Sequence, residues 1–450
     1  MNYLIKGASA IFCHDAAASD IRIQQGYIIE IGRQLAQLPG ETCIQARDCV
    51  IYPGLVNTHH HIAQSILKGI PAGLNQPLGE WLASVPYRFW PHITPDIMYA
   101  AACLGFSELL RSGTTTCADH HYLYHATTSP ELEAAVWQAA DDVGIRLVLC
   151  RGGATRQGSH KGMRSSPVEP ESIAQCLARL DLSRSRYHQP GGDAMRKLVV
   201  APTSLVHSSS PADLRLLAEF ARSHGLKMHS HLLEVSFDEI QAQQTYQMSA
   251  VDYAESCHWL GEDVWFAHLV QANERDIATL AGSRTGIAHC PTSNCRLGSG
   301  IAPVIRMAQA GMPVSIGVDG SASSESGSMI QELNLTWLLH RAQQGAEATS
   351  LETVLKWGTE DGARLLGLDK VGKLAVGYAA DLVIYDLRAP RFSGCHSPLL
   401  APILCGEPVD IRYTFVHGRP VVKNGAPQLD PHRLASQARK AIKALLSRSA

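Results

Sequence analysis

Residues 198–234 read LVVAPTSLVHSSSPADLRLLAEFARSHGLKMHSHLLE, and this stretch decides the fold class. A β-branched run over Leu198–Pro202 predicts a strand. Ser210 then stands as an N-cap, Pro211 takes the first helical position and Asp213 sits in the acid-favouring first turn. Leu214, Leu217, Ala218 and Ala221 recur at helical spacing, Gly225 closes the helix, and LKMHSH opens another strand. A strand, a helix and a strand in succession imply a crossover between parallel neighbours.

The same alternation runs through the middle of the chain. Candidate strands are Cys49–Val56, Thr114–Ala118, Ile145–Cys150, Leu198–Pro202, Leu226–His231, Val264–His268, Gly286–Cys290 and Val314–Asp319. Eight strands with helical segments between them predict an α/β fold of the (β/α)8 TIM-barrel type. The ends have a different texture. YLIKGASAIF (3–12), DIRIQQGYIIEIG (20–32) and TCIQARDCVIYPG (42–54) read as short strands between turns, and so do KLAVGYAADLVIYDL (373–387) and IRYTFVHGRPVVKNG (411–425). The expected organisation is a small β-sandwich assembled from residues 1–52 and 373–425, a metal-dependent barrel over 53–372, and a helical tail over 426–450.

The chain has 450 residues, of which 45% are apolar and 18% charged, enough to bury a sizeable core. With 39 Lys plus Arg against 41 Asp plus Glu the net charge is −2, so no global field attracts nucleic acid or an anionic membrane. No segment reaches the roughly 18 to 20 apolar residues of a membrane span, and the N-terminus lacks the continuous apolar core of a signal peptide. Twelve cysteines occur without a Cys-x-x-Cys pair, which reads as mostly buried free thiols in a reducing compartment. A cytoplasmic protein is expected.

The 21 histidines are numerous for this length, and their positions carry the chemistry. In a barrel the C-terminal strand ends form the catalytic face. His59 and His61 follow the first strand at i, i+2, a spacing that turns both imidazoles to one side and His60 away. His229 and His231 end the fifth strand with the same spacing, His268 ends the sixth, His289 lies at the seventh, and Asp319 ends the eighth. Each has an ordinary structural explanation alone, but all of them at strand ends do not. Three imidazoles and one carboxylate suit one divalent ion, Zn²⁺ or Fe²⁺, with a position left open for water. His59, His61, His231 and Asp319 form the best ligand set, and Asp319 could also accept a proton from that water. Glu234, three residues beyond His231, could turn its carboxyl back over the metal. Hydrolysis at an amino-bearing ring carbon needs protons on the ring nitrogen and on the leaving amine, and one carboxyl can carry both.

These residues resemble the amidohydrolase superfamily, in its branch of aminohydrolases acting on nucleobases and related heterocycles. The motifs are PGLVNTHHHIAQ (53–64), HSHLLE (229–234), AH (267–268), HCPTSN (289–294) and GVDGSAS (317–323), in the family's order across most of the chain. The resemblance implies metal ligation by His59, His61, His231 and Asp319, proton shuttling by Glu234, and polarisation of water by His268 with Asp319. It assigns His289 and Asn294 to site architecture. Two-metal branches carry a carboxylated Lys after the fourth strand, where this chain has Pro202-Thr203-Ser204, so one metal is expected. Gln64 resembles the Gln with which guanine-type deaminases hold a purine edge, and its amide can both donate and accept. Arg151 is a candidate for a substrate carbonyl or carboxylate. Thr203 stands where adenosine-type members place His, which argues against those substrates, and the Arg-Phe pair of guanine deaminases is absent. NTHHHIAQS, CRGG and VDGSAS look most like the enzymes that deaminate isoxanthopterin and 8-oxoguanine. Trp81, with Phe89 and Trp90, is placed to cover such a ring, and the Gly- and Pro-punctuated 69–95 segment to form a lid. The implied activity is release of ammonia by water from an oxopterin such as isoxanthopterin. The alternatives are 8-oxoguanine or guanine, more distantly a triazine or N-formimino compound, or a non-catalytic scaffold that kept the fold. A homo-oligomer, dimer or larger, is expected from the family.

Overall fold

The computed structural model describes residues 2–158 and 168–449. Its central element is a parallel sheet whose strands follow one another in chain order. They are β1 (Leu55–His61), β2 (Thr114–His121), β3 (Arg146–Arg151), β4 (Arg196–Val200), β5 (Met228–Leu232), β6 (Val264–His268) and β7 (Gly286–His289). The eighth, β8, comes in two pieces, Val314–Ile316 and Asp319–Gly320. The first piece pairs with β7 and the second with β1, through Asp319↔His60 and Gly320↔His61. Thr58 also donates its hydroxyl to the Ile316 carbonyl at 2.9 Å, so the sheet closes on itself as a TIM-barrel-like domain.

Strand alternation sorts the side chains into two layers. Val148 and Cys150 of β3 pack inward with Val56, Ala118, Val199, Ala201, Trp265 and Ala288. Leu147 and Leu149 of the same strand pack outward in the core shared with the helices. The helix Pro211–Ser223 forms as its caps dictate. Ser210 Oγ accepts from the Asp213 N–H at 3.1 Å, and Leu214, Leu217, Ala218 and Ala221 are its buried residues.

The first barrel strand differs from the expectation. Cys49–Val56 is not one strand. Cys49–Pro53 pairs antiparallel with Leu382–Asp386 in another sheet, and β1 begins only at Leu55. The break falls at Gly54, where an added Cβ would lie 2.1 Å from the Thr115 hydroxyl. Both segments are buried on both faces, so VIYPGLV reads as one continuous apolar run although the chain changes sheets within it. His59 and His61 consequently lie inside β1 and not after it.

The terminal segments build two further sheets. Asn2–Lys6, Asp20–Gln24, Tyr27–Gly32 and Thr42–Gln45 form one of four strands. Ala10–Ile11 and Cys49–Pro53 join Leu382–Asp386, Asp410–Val416, Arg419–Lys423 and Ala426–Pro427 in one of six. Ile5, Ile21, Ile28, Ile51, Ile384 and Phe415 belong to a core common to both sheets. The last helix, Pro431–Arg448, buries Leu434, Ala438, Ala441 and Leu445 and packs against the helix Pro95–Arg111. Among the described residues, no helix is long and apolar enough to cross a membrane.

Barrel and terminal sheets are joined by a fully buried ion pair. Arg146, at the start of β3, donates to Asp381 Oδ2 through Nη2 at 2.6 Å and through Nε at 3.2 Å. Removing one partner leaves the other charge buried without compensation. Asp381→Ala should therefore lower unfolding stability by about 3–5 kcal/mol, measured by urea denaturation. The double replacement of Arg146 by Met and Asp381 by Leu should recover much of that loss.

Glu332 is a second buried titratable group of consequence. Burial pushes its carboxyl up to about 8, against the pull of the Thr292 N–H that it accepts at 3.1 Å. The unfolded chain ionises this group near 4.3. Between those values the native state holds a proton that the unfolded state has released, so this group makes stability fall as pH rises through that window. Glu332→Gln keeps the acceptor and should flatten the decline, seen as a smaller change in thermal midpoint between pH 5 and 8, taken as about the ends of the window.

Candidate functional site

Three imidazoles meet at the C-terminal end of the barrel because strand parity and closure send them there. His59 and His61 come from β1, where the register with β2 shifts between Asn57 and His60, and His231 comes from β5. Each ring is held through Nδ1. His61 Nδ1 donates to the His120 carbonyl at 2.8 Å and His231 Nδ1 to the Thr203 carbonyl at 2.6 Å. His59 Nδ1 lies 2.8 Å from His229 Nε2, and His229 is itself held by the Trp265 carbonyl at 2.9 Å. A carbonyl only accepts, so His229 carries its proton on Nδ1 and its Nε2 takes the proton of His59. All three candidate ligands are thereby left with bare Nε2 lone pairs.

Those lone pairs converge. His61 Nε2 and His231 Nε2 are 3.1 Å apart, and Asp319 Oδ1 lies 3.3 Å from the Nε2 atoms of both His59 and His61. His59 Nε2 is buried without a hydrogen-bond partner. Bonds of about 2.1 Å in a tetrahedral site put neighbouring donors about 3.4 Å apart, so the spacing fits a first-row divalent ion. The protonation states fit as well. Burial lowers all three imidazoles, His231 to about 3, and keeps them neutral. Burial alone would raise Asp319, but the imidazoles of His59, His61 and His268 that surround it outweigh burial, and its net shift is well below the usual carboxylate range. Ser293 fixes its other oxygen at 2.6 Å.

Glu234 and His268 stand beside this cluster. Glu234 Oε2 is 3.5 Å from His268 Nε2, which is 4.0 Å from Asp319 Oδ2. Burial pushes Glu234 up to about 7, with His268 pulling it back. Burial lowers His268, but the carboxylates of Glu234 and Asp319 outweigh it and the net shift is upward. Asn294 Oδ1 accepts from His268 Nδ1 at 2.9 Å, which leaves His268 Nε2 facing the two carboxyls. His289 is set apart, 3.2 Å from His340, and His60 does not join the convergence.

The cluster opens into a cavity of about 170 Å³, continuous with solvent. Gln64, Trp81, Thr203, Glu234, His268 and Asp319 line it, together with Tyr87, Tyr122, His207, Phe237, Asp238 and Leu297. Gln64 reaches the cavity because Gly320 has no side chain: a Cβ there would lie 1.9 Å from Gln64 Oε1. The 69–95 segment contributes the helices Leu78–Ser84 and Pro86–Phe89, with Trp81 and Tyr87 on the cavity wall.

Arg151 is a correction. It does not line the cavity. It shares the outward parity of Leu147 and Leu149, and its guanidinium makes two 2.7 Å hydrogen bonds to Glu171 over the Tyr124 ring. A cationic group at a strand end reads as substrate-facing until the parity of the strand is known. Phe89 and Trp90 are also outside the cavity lining; Trp90 packs against Tyr87 and Tyr122. Sequence reasoning missed Tyr122, His207 and Asp238, which lie between motifs, and it missed the support that His229 gives His59. The i, i+2 pair in HSHLLE was the available signal for that support.

The sequence profile of the amidohydrolase family matches residues 50–421. The chain is 44% identical to an isoxanthopterin deaminase from an unknown prokaryotic organism, over 95% of this chain and 92% of that one. It is 37% identical to an 8-oxoguanine deaminase from Pseudomonas aeruginosa (strain PAO1), over 98% and 99% of the two chains. The fold superimposes with a TM-score of 0.91, at 26% identity and covering 98% of this chain and all of the other, on a mutant atrazine chlorohydrolase from Arthrobacter aurescens TC1 with zinc and atraton.

The support of a ligating imidazole through its second nitrogen typically accounts for a 10–100-fold difference in metal affinity. His229→Ala should weaken divalent metal binding by about that factor. Competition with a chromophoric chelator measures it, and an unchanged affinity would remove His229 from the site.

Proposed function

The chain belongs to the amidohydrolase family, and from that premise we propose that it is a metal-dependent deaminase of an amino-oxo bicyclic heterocycle, an oxopterin such as isoxanthopterin. It is a hydrolase of carbon–nitrogen bonds. The observation that carries the substrate reading is the 44% identity to an isoxanthopterin deaminase along nearly the whole chain. The similarity to an 8-oxoguanine deaminase makes that purine the second reading. The twelve cysteines are all free thiols, which supports a cytoplasmic setting, and we expect a homo-oligomer. The domain reading is a β-sandwich from 1–52 and 373–425, a barrel over 53–372 and a tail over 426–450, supported by the core common to the two terminal sheets; at its edges Pro53 and Ala426–Pro427 still pair in the six-stranded sheet, and the tail helix starts at Pro431.

In this proposal His59, His61, His231 and Asp319 hold one divalent ion. Zn²⁺ is favoured over Fe²⁺ by the zinc in the chlorohydrolase structure. Such an ion lowers the pKa of water to about 7 and so supplies hydroxide at neutral pH. Glu234 takes a proton at Oε2 from the attacking water and delivers it to the ring nitrogen beside the reacting carbon, then takes the remaining proton from the newly formed hydroxyl and carries it to the departing amine. A carboxyl near pKa 7 gains and loses protons at neutral pH with little driving force in either direction. His268, held by Asn294, orients the nucleophile with Asp319 and keeps Glu234 beside it. Gln64 and Thr203 supply polar contacts along the ring edge, and Trp81 covers its face. Ammonia leaves when the tetrahedral carbon collapses to a carbonyl.

Ammonia release by zinc-loaded protein with isoxanthopterin, 8-oxoguanine, guanine, cytosine and pterin-6-carboxylate tests the substrate. At least tenfold preference for isoxanthopterin, about 1.4 kcal/mol in transition-state binding, is expected. A preference for 8-oxoguanine keeps the chemistry and overturns the substrate. Glu234→Gln should retain metal and lose about 10²–10⁴-fold in kcat; near-normal turnover would remove Glu234 from the reaction.

A further inference from the structure

The cavity wall that follows β4 and β5 carries a carboxylate that the proton transfers do not use. Asp238 stands in the first turn of the helix Ser236–Tyr246, just beyond Glu234, and His207 in the short helix Leu205–Ser208 after β4. His207 Nε2 donates to Asp238 Oδ1 at 2.7 Å, and the His207 ring stacks on Phe237 at 5.0 Å with an interplanar angle of 6°. His207, Phe237 and Asp238 line the same cavity as Glu234. A carboxylate in a first helical turn is ordinary, but the helix does not require it to open on the cavity, and the Asp238 side chain keeps 12% of its surface exposed there. Burial alone would raise its carboxyl, but the His207 imidazole leads the groups that outweigh burial, and Asp238 is ionised at neutral pH. Among the described residues that line the cavity there is no Lys or Arg. An anionic oxygen on that wall is a strong acceptor for an N–H.

We propose that Asp238, held by His207, binds the substrate by accepting the N–H of its second ring, and so selects bicyclic heterocycles that carry such a donor. This rests on the reading of the site as a deaminase of an amino-oxo bicycle in which Glu234 serves the ring nitrogen. In isoxanthopterin the bare ring nitrogen beside the amino-bearing carbon and the lactam N–H of the second ring are bonded to one ring-fusion carbon. In 8-oxoguanine the bare ring nitrogen and an N–H of the five-membered ring share a fusion carbon in the same way. The wall that brings Glu234 to the bare nitrogen therefore meets that N–H next along the same edge. Once the ring is bound the N–H is cut off from water, and leaving it unpaired is costly. Asp238 lies on that wall beyond Glu234 and supplies the acceptor. An ionised carboxylate accepts and cannot donate, so it separates an N–H from a bare or methylated nitrogen.

The test uses full-length zinc-loaded protein and two pairs of compounds: isoxanthopterin and 8-oxoguanine, each with its counterpart methylated on that second-ring nitrogen. A hydrogen bond to a charged group is worth about 10–100-fold, so methylation should lower kcat/KM by about that factor. Asp238→Ser removes the carboxylate and leaves room for the methyl group. It should lower kcat/KM for the parent compounds by about tenfold or more and shrink the methylation penalty to less than about threefold. A merely structural role would lower parent and methylated compounds alike and leave the penalty as it was. Calorimetric binding to Glu234→Gln protein reads the same contact without turnover. Adding Asp238→Ser there should raise the Kd of the parent by about tenfold and leave that of the methylated compound within about threefold. His207→Phe keeps the stack on Phe237 but loses the hold on Asp238, and should shrink the penalty by a smaller factor. It carries the test if Asp238→Ser does not fold. Turnover of the parents with no methylation penalty, or with an unchanged penalty in the variant that folds, overturns this inference and leaves the deaminase reading standing. Absence of ammonia release from all four compounds overturns the substrate reading and the inference with it.

Discussion

His61 and His231 present bare Nε2 lone pairs to each other across 3.1 Å, with the anionic Asp319 at 3.3 Å from His61, and most of the barrel mouth is arranged around that contact. Lone pairs at such a distance repel unless a cation lies between them. Nothing in the side chains themselves supplies that cation, since burial keeps the imidazoles neutral. The convergence therefore stands only because each ring is fixed from behind by a carbonyl or by His229. This is the usual way a metal centre is prepared: the outer hydrogen bonds choose the tautomer, and the tautomer makes the ligand.

The groups beside the convergence are held in backbone conformations that ordinary side chains avoid. Leu233, His268 and Asp319 have φ of 55°, 77° and 57°. Such residues cluster at functional sites because surrounding structure over-determines them. Here the strain follows from the geometry required: each strand must end and turn its last side chain inward within one residue. The carbonyl ties from Leu269 and Gln271, the seryl bond to Asp319 and the Asn294 bond to His268 hold those turns. The cavity above is walled by Trp81, Tyr87 and Leu297, so the charged floor faces a largely apolar chamber. That contrast favours a flat heterocycle whose polar edge points down.

The sequence showed the polar residues more clearly than their directions. His59, His61, His231 and Asp319 were legible because histidines two apart at a strand end, and Asp before Gly, recur at the ends of a strand-helix alternation. Glu234 and His268 were legible from their distance to those motifs. Arg151 had the same local signature, a charged residue at a strand end, and yet it faces the helices and pairs with Glu171. A one-residue difference in parity separates the two outcomes. The bulge in β1 between Asn57 and His60 is the same effect acting the other way.

By itself the sequence determined the barrel, the order of its strands, the donor types at its mouth and the β texture of both termini, because these follow from hydrophobic period, capping and spacing along the chain. Tertiary structure alone decided where the apolar run at 49–56 changes sheets, which face Arg151 takes and which histidine supports which. It also brought His207 within 2.7 Å of Asp238 on the cavity wall. Each of these depends on contacts between segments far apart in the chain, such as Gly54 against Thr115 or His59 against His229, and no local pattern encodes a contact whose second partner lies elsewhere.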